Sequence, residues 1–203
     1  MRESILSVVM PMLTAAFYAV FLRNLLFSGG LGATEVLRAA QRNSEILMSS
    51  LLVSLFSAAA AGLCYAAVRP LTIGYALRAA LYGGVLLTLY LIACVVIVLL
   101  PHKLAPRRPI LLRRIGISAL NTMVMGVPLL AHLTGESVFG AIGMGLGAGL
   151  AFLVVTMLIN SGLHILQQNK AIPPMFTGVP AALIYTGLLA LAFTGFQGKI
   201  LFQ

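Results

Sequence analysis

The chain contains very few charged residues. Only 8% of its 203 residues are charged and 61% are hydrophobic, with a mean hydropathy of +1.06. A soluble domain carries roughly 25% charged residues, and thirteen basic with four acidic side chains cannot cover a 21.4 kDa globule in water. This shortage excludes a soluble enzyme and a disordered chain, and two cysteines exclude a disulfide scaffold. We therefore predict an all-α, polytopic membrane protein.

Long charge-free windows predict six transmembrane helices. A helix needs about 20 mostly apolar residues to cross a bilayer, and the windows are continuously apolar rather than alternating, which excludes a membrane barrel. The first window is read as a span and not as a cleaved signal, because Met1-Arg2-Glu3 has no positive excess. The predicted spans are 5–26, 46–68, 79–100, 115–133, 139–162 and 176–195.

The basic residues are distributed unequally between the predicted loops. Nine follow spans one, three and five, namely Arg23, Arg38, Arg42, Lys103, Arg107, Arg108, Arg113, Arg114 and Lys170. The other four are Arg2, Arg69, Arg78 and Lys199. Positive loops are retained in the cytoplasm, so both termini are predicted to lie outside in a multi-pass protein of the cell inner membrane.

The segment 102–114 carries most of this positive charge. We interpret it as a topology anchor at anionic lipid headgroups; docking of an acidic partner or a specific lipid is the alternative. Nucleic acid is not expected as a partner, because the segment is short, lacks aromatic residues and lies against the bilayer.

The same segment divides one membrane domain, 1–203, into two halves. The expected parts are a first three-helix repeat at 1–100, a basic cytoplasmic loop at 101–114 and a second three-helix repeat at 115–203. Because each half has an odd number of spans, duplicated halves would insert with opposite orientation. The predicted architecture is therefore six helices as two inverted repeats, which places a site where the halves meet.

Glycines in the fifth span indicate close helix packing. The pairs Gly143/Gly147 and Gly145/Gly149 are each spaced i, i+4, so each pair lies on one helix face. Neighbouring backbones can approach such faces closely. A phosphate-binding glycine loop is excluded because no strand precedes the run and no Gly-Lys-Ser/Thr follows it.

Residues with catalytic or metal-binding chemistry are scarce in the predicted spans. All four glutamates fall at or outside span ends, and His132 and His164 lack metal-ligand spacing. Cys64 and Cys94 lie in spans two and three, where thiols usually fill apolar space. The chain is expected to have no catalytic residues or metal site, and at most to be a non-catalytic subunit of an enzyme.

Polar residues and prolines indicate broken helices in spans one and four. Pro128 removes a backbone donor and clashes with the Val124 carbonyl, which predicts a break just after Asn121-Thr122. Span one ends with Arg23-Asn24 and then Ser28-Gly29-Gly30. Broken helices are tolerated where they are buried in protein or line a cavity. The interface of these spans is thus either a functional centre or a packing contact made by interhelical hydrogen bonds.

Two stretches resemble a known family. Residues 172–196, IPPMFTGVPAALIYTGLLALAFTGF, are similar to the last span of the A subunit of the Rnf electron-transport complex. The E subunit of the sodium-pumping NADH:quinone oxidoreductase is its counterpart. The family pattern is Pro-x-x-Phe-x-Gly followed by a run ending in Leu-Ala-Phe-x-Gly-Phe. Residues 112–126, LRRIGISALNTMVMG, resemble the family's fourth span, which contains Asn-Cys.

The resemblance implies six helices in two inverted repeats and assembly with a homologous six-helix sister subunit. It also implies a [2Fe–2S] cluster shared with that subunit through one cysteine in each broken helix. In this chain those positions match Ser28 and Thr122, with Asn121 retained beside Thr122. Hydroxyls do not replace thiolates as ligands of such a cluster, so no cluster ligation is expected at these positions and no cofactor is expected in this chain.

Two functions follow from these observations. The first is an integral membrane subunit of an Rnf-type ion-translocating oxidoreductase complex that acts mainly as a scaffold, its cluster ligands lost. The alternative is a substrate-binding membrane subunit of a vitamin-type importer, because six spans in about 200 residues with basic cytoplasmic loops also fit that class.

Overall fold

The computed structural model describes residues 2–99, 107–134, 137–169 and 173–196. Within these ranges the ordered elements are all helical. In chain order they are α1 (Arg2–Phe17, continuing as one π-helical turn over Tyr18–Leu22), α2 (Leu25–Gly29), α3 (Ala33–Ala40), α4 (Asn43–Ala67), α5 (Tyr75–Leu99), α6 (Arg108–Ala119), α7 (Thr122–Thr134), α8 (Val138–Gln168) and α9 (Val179–Phe196), with a 3-10 turn at Pro174–Phe176. The all-α prediction is confirmed.

Four helical stretches are long and apolar enough to cross a membrane. They are α4, α5, the α6–α7 pair and α8, and shorter apolar helices cover Leu6–Leu22 and Val179–Gly195. Large hydrophobic side chains such as Leu91, Val96 and Leu188 are more than half exposed, as lipid-facing residues are. The chain is a multi-pass membrane protein.

Several helix boundaries differ from the sequence predictions, and two of the differences bear on the candidate site. Span one was predicted to extend to residue 26, but the α1 helix ends at Leu22. The expected loop 101–114 is helical from Arg108, because Pro109 in the first turn of α6 has the backbone angle of a helix start. Residues 102–106 of that expected loop lie outside the described ranges.

The centre of the fold is α8, which packs against both α1 and α4. Its glycines make this double contact possible. A Cβ added at Gly143 or Gly147 would come within 3.0 Å of the backbone of Met12 or Ala16 in α1. A Cβ at Gly145 or Gly149 would come equally close to Ala58 or Ser54 in α4. The predicted packing role of the two glycine pairs is confirmed, with one pair facing each neighbour.

Candidate functional site

The first helix break is held by Asn24, which is 1% exposed. Its Oδ1 accepts hydrogen bonds from the backbone N–H of Leu26 at 3.1 Å and of Phe27 at 3.4 Å. Its Nδ2 donates to the carbonyl of Val20 at 3.1 Å. One buried amide therefore caps α2 and also satisfies a carbonyl of the π-helical turn before the break.

Ser28 lies in the last turn of α2 and is exposed. Its hydroxyl donates to the Asn24 carbonyl at 2.6 Å. After α2 the chain turns through Gly30 and Gly32, whose φ angles of 65° and 79° are in the left-handed region that favours glycine. The glycine-rich turn thus redirects the chain from α2 into α3.

The second break lies between α6 and α7 and is held by Asn121, also 1% exposed. Its Oδ1 accepts a hydrogen bond from the Met123 N–H at 2.9 Å, so it caps α7 as Asn24 caps α2. The prediction of a break just after Asn121-Thr122 was wrong: the break precedes Thr122, where α7 begins, and Pro128 lies inside α7. The capping amide at Asn121, not the proline, marks the discontinuity.

The two breaks are in direct contact. The backbone N–H of Gly32 donates to Thr122 Oγ1 at 2.9 Å. A Cβ at Gly32 would lie 2.9 Å from Asn121 Oδ1 and 3.1 Å from the Met123 Cβ, so the missing side chain is what lets the turn approach α7. The juxtaposition of spans one and four predicted from the sequence is confirmed.

These residues do not fit a [2Fe–2S] cluster. The hydroxyls of Ser28 and Thr122 are already hydrogen-bonded to backbone groups, and a hydroxyl is a far poorer cluster ligand than a thiolate. The two cysteines, Cys64 and Cys94, lie in α4 and α5 rather than at the breaks. Cys64 is buried against Val68 and the Tyr82 ring, as expected of an apolar filler.

Three polar residues outside the breaks make hydrogen bonds within the helix bundle or along their own helix. Thr156 donates to the Phe152 carbonyl of its own helix at 2.6 Å, and Asn160 donates across to the Ala40 carbonyl in α3. His164 shares a hydrogen bond with Gln168 at 3.1 Å. Within the described ranges, no group of three His, Cys, Asp or Glu residues is placed to hold a metal ion.

His132 has a partner that the sequence did not indicate. It shares a short hydrogen bond through Nε2 with a guanidinium nitrogen of Arg78, whose other terminal nitrogen donates to the Leu71 carbonyl at 3.1 Å. Nearby along the chain, the Arg69 guanidinium lies 4.2 Å from the centre of the Tyr65 ring. These contacts link the α4–α5 connection to the end of α7.

A cluster of ionised side chains lies between the end of α3, the start of α4 and α6. Glu45 Oε1 is 3.3 Å from Nη1 of Arg42 and 3.8 Å from Nη2 of Arg114, and Arg38 and Arg113 line the same cavity. In the sequence these arginines indicated orientation, and Arg113 and Arg114 also a contact with anionic lipid, but not a common cluster. The i, i+4 spacing of Arg38 and Arg42, with Glu45 three residues later, was the available signal for a common cluster.

The known proteins to which this chain is similar are A subunits of ion-translocating oxidoreductase complexes. The chain is 27% identical over 188 residues to the A subunit of the Na(+)-translocating ferredoxin:NAD(+) oxidoreductase complex of Acetobacterium woodii, a match that covers 89% of this chain and 93% of the relative. It is 39% identical over 80 residues to the A subunit of the ion-translocating oxidoreductase complex of Aromatoleum aromaticum, covering 39% of this chain and 41% of that one.

A third relative, the A subunit of the ion-translocating oxidoreductase complex of Tolumonas auensis, is 33% identical over 106 residues. That match covers 49% of this chain and 51% of the relative, so the higher identities are confined to part of the sequence. No model of a protein family matches the chain. The near full-length similarity to the Acetobacterium woodii protein, the shorter matches and the six apolar helical stretches agree with the resemblance found in the sequence. The chain is thus similar, over nearly its whole length, to the A subunits of Rnf-type ion-translocating oxidoreductase complexes.

Proposed function

We propose that this chain is an integral membrane subunit of an Rnf-type ion-translocating oxidoreductase complex, in which it acts mainly as a scaffold. The relatives named above are A subunits of such complexes. The observation that carries the scaffold role is the hydrogen bond from Gly32 to Thr122, which joins the two helix breaks through a hydroxyl and not through a thiolate ligand.

We propose further that this chain holds no [2Fe–2S] cluster, although the two helix breaks that carry Ser28, Asn121 and Thr122 meet at Gly32. The test is paramagnetic resonance of the purified, reduced complex with Thr122→Ala, and with Thr134→Ala as the control. Thr134 makes only hydrogen bonds within α7, so its loss leaves the breaks intact. A cluster signal lost in the Thr122 variant but kept in the control would contradict the proposal.

The proposed architecture is two inverted three-helix repeats, α1–α5 and α6–α9. Three features support it: each repeat begins with a helix broken at a capping asparagine, α4 packs on α8, and the contact of α1 with α8 is matched by contact of α6 and α7 with α4.

We propose that both termini lie outside the inner membrane. A C-terminal alkaline phosphatase fusion should then be active, and a C-terminal fluorescent protein fusion should be dark. The reverse pattern would overturn the proposed orientation.

The proposed partners are a homologous six-helix sister subunit, other membrane subunits and anionic lipid at residues 102–114. The arginines of the described part of this segment, Arg107, Arg108, Arg113 and Arg114, support the lipid contact, since each basic residue near an anionic surface contributes about 1 kcal/mol. Arg107 is exposed, so Arg107→Gln should lower the fraction of anionic lipid retained after purification.

A further inference from the structure

A cavity of about 310 Å³ opens at the end of the bundle where α3, α4 and α6 meet. Four arginines line it, two from each half of the chain: Arg38, Arg42, Arg113 and Arg114. Guanidinium groups remain charged and present several N–H donors in one plane, a geometry that matches phosphate oxygens in pairs. The residue type and the number of donors therefore favour a polyatomic anion as a ligand.

The acidic residues at the cavity leave part of this charge unbalanced. Glu45 is engaged by Arg42 and Arg114 through the ion pairs described above. In the described part of the chain, Arg38 and Arg113 make no ion pair. Counting Glu35 of the adjoining inner cavity, four guanidinium groups face two carboxylates, which leaves two excess positive charges. A dianion, or two monoanions, would balance them.

An inner cavity of about 30 Å³ continues from the outer one. The two cavities share Arg38, Glu45 and Arg114, and the inner one reaches Asn121 at the second helix break. The Asn121 amide is buried, and its Nδ2 makes no hydrogen bond within the described structure. Since an unpaired buried donor is costly, this N–H is suited to an acceptor oxygen, either directly or through one water, for which the inner cavity has room.

We propose that this arginine cavity is a binding site for a phosphate group, which would join the two halves of the protein at the second helix break. Arg38 and Arg113 supply the unpaired charge, and Arg42 and Arg114 complete the rim. Arg113 and Arg114 also belong to the segment proposed above to contact anionic lipid. The phosphate site also includes α3 and Asn121, which lie outside that segment.

The probe for the test is inorganic phosphate added to the full chain in a neutral detergent, with chloride at equal ionic strength as reference. Phosphate should raise the melting temperature in a saturable way. Arg38→Gln and Arg113→Gln should each weaken the apparent affinity by about tenfold or more, the loss expected for one charge-assisted contact. Arg23→Gln removes the same charge from an exposed residue that lines neither cavity and should leave the affinity unchanged.

A second arm separates a lipid headgroup from free phosphate as the source of the group. In nanodiscs that contain phosphatidylglycerol, a bound lipid would remove the stabilisation by added phosphate, whereas nanodiscs of phosphatidylcholine alone would preserve it. Persistence of the phosphate effect in both nanodiscs would identify free phosphate; either result supports the site. An effect equal to that of chloride, or an equal loss in Arg23→Gln, would overturn it.

Arg107→Gln distinguishes this site from the broader lipid contact. Because Arg107 lies in the basic segment but lines neither cavity, its variant should retain the phosphate response even if lipid retention falls. If the Arg107→Gln variant loses bound lipid but still responds to phosphate, the result supports a phosphate site that is separate from the lipid contact. If the wild-type protein retains anionic lipid but shows no response specific to phosphate, the phosphate site is refuted and the lipid contact is not.

Discussion

The close approach of α1 to α8 predicts that a single methyl group at Gly147 destabilises the protein. In Gly147→Ala the new Cβ falls within 3.0 Å of the Ala16 carbonyl oxygen and Cα, atoms of a helix backbone that cannot rotate away. Overpacking costs typically 1–3 kcal/mol, and contact with backbone places this site near 3 kcal/mol. Alanine regains about 1 kcal/mol of helix propensity over glycine, which leaves a net loss of about 2 kcal/mol.

The matched control is Gly84→Ala in α5, where an added Cβ meets nothing within 4 Å. That variant gains the higher helix propensity of alanine without a steric clash. It should be as stable as the wild type, or more stable by up to about 1 kcal/mol. The assay is reversible unfolding in mixed micelles of a mild detergent and dodecyl sulfate, followed by circular dichroism. If Gly147→Ala proves as stable as Gly84→Ala, the packing of α8 against α1 described here is wrong.

Three further predictions concern the helix breaks and the core, each measured as the free energy of unfolding in the same assay. Asn24→Ala removes the α2 cap and should cost about 1–2 kcal/mol, and no loss would exclude its capping role. Thr122→Val removes the acceptor for the Gly32 N–H and should cost about 1 kcal/mol, whereas Thr122→Ser retains it; equal stability of the two variants would contradict the bridge. Cys64→Ser buries a hydroxyl in an apolar site and should cost about 1–3 kcal/mol, while an unchanged stability would show that the site is hydrated.

The all-α fold class and the close packing at the glycines of the fifth span could both be predicted from the sequence. Continuous apolar windows predicted six helical stretches, and the structure has an apolar helix at each one. The i, i+4 glycine pairs predicted close approach on two faces of the fifth span, which the structure confirms against α1 and α4. Both properties depend on local periodicity, which a single sequence displays directly.

The exact position of the second break could not be predicted in the same way. Pro128 was the visible helix breaker, yet it is accommodated inside α7, whereas Asn121 lies between two helices and caps the second. An asparagine caps a helix only when its own backbone φ and ψ angles are not helical, and tertiary packing decides whether they are. The Gly32 turn supplies that packing against Asn121, although the two residues are far apart in the sequence.

The ionised cluster was also beyond sequence reasoning, for a related reason. The arginines at 38 and 42 and those at 113 and 114 are separated by most of the first half of the chain. In the sequence they indicated orientation and, at 113 and 114, a lipid contact, but no common site. Only the fold places them around one cavity with Glu45 between them. Charged residues from separate loops meet at one end of a helical bundle because both loops lie on the same side of it.

The composition of the native complex tests the central claim most directly. The tagged chain, expressed at its natural level and extracted in a mild detergent, should purify in a stable stoichiometric assembly. Mass spectrometry should identify a homologous six-helix subunit together with flavin- and iron–sulfur-containing subunits of an ion-translocating oxidoreductase. Stoichiometric association with the ATPase subunits of a small-molecule importer, and no oxidoreductase subunit, would contradict the account.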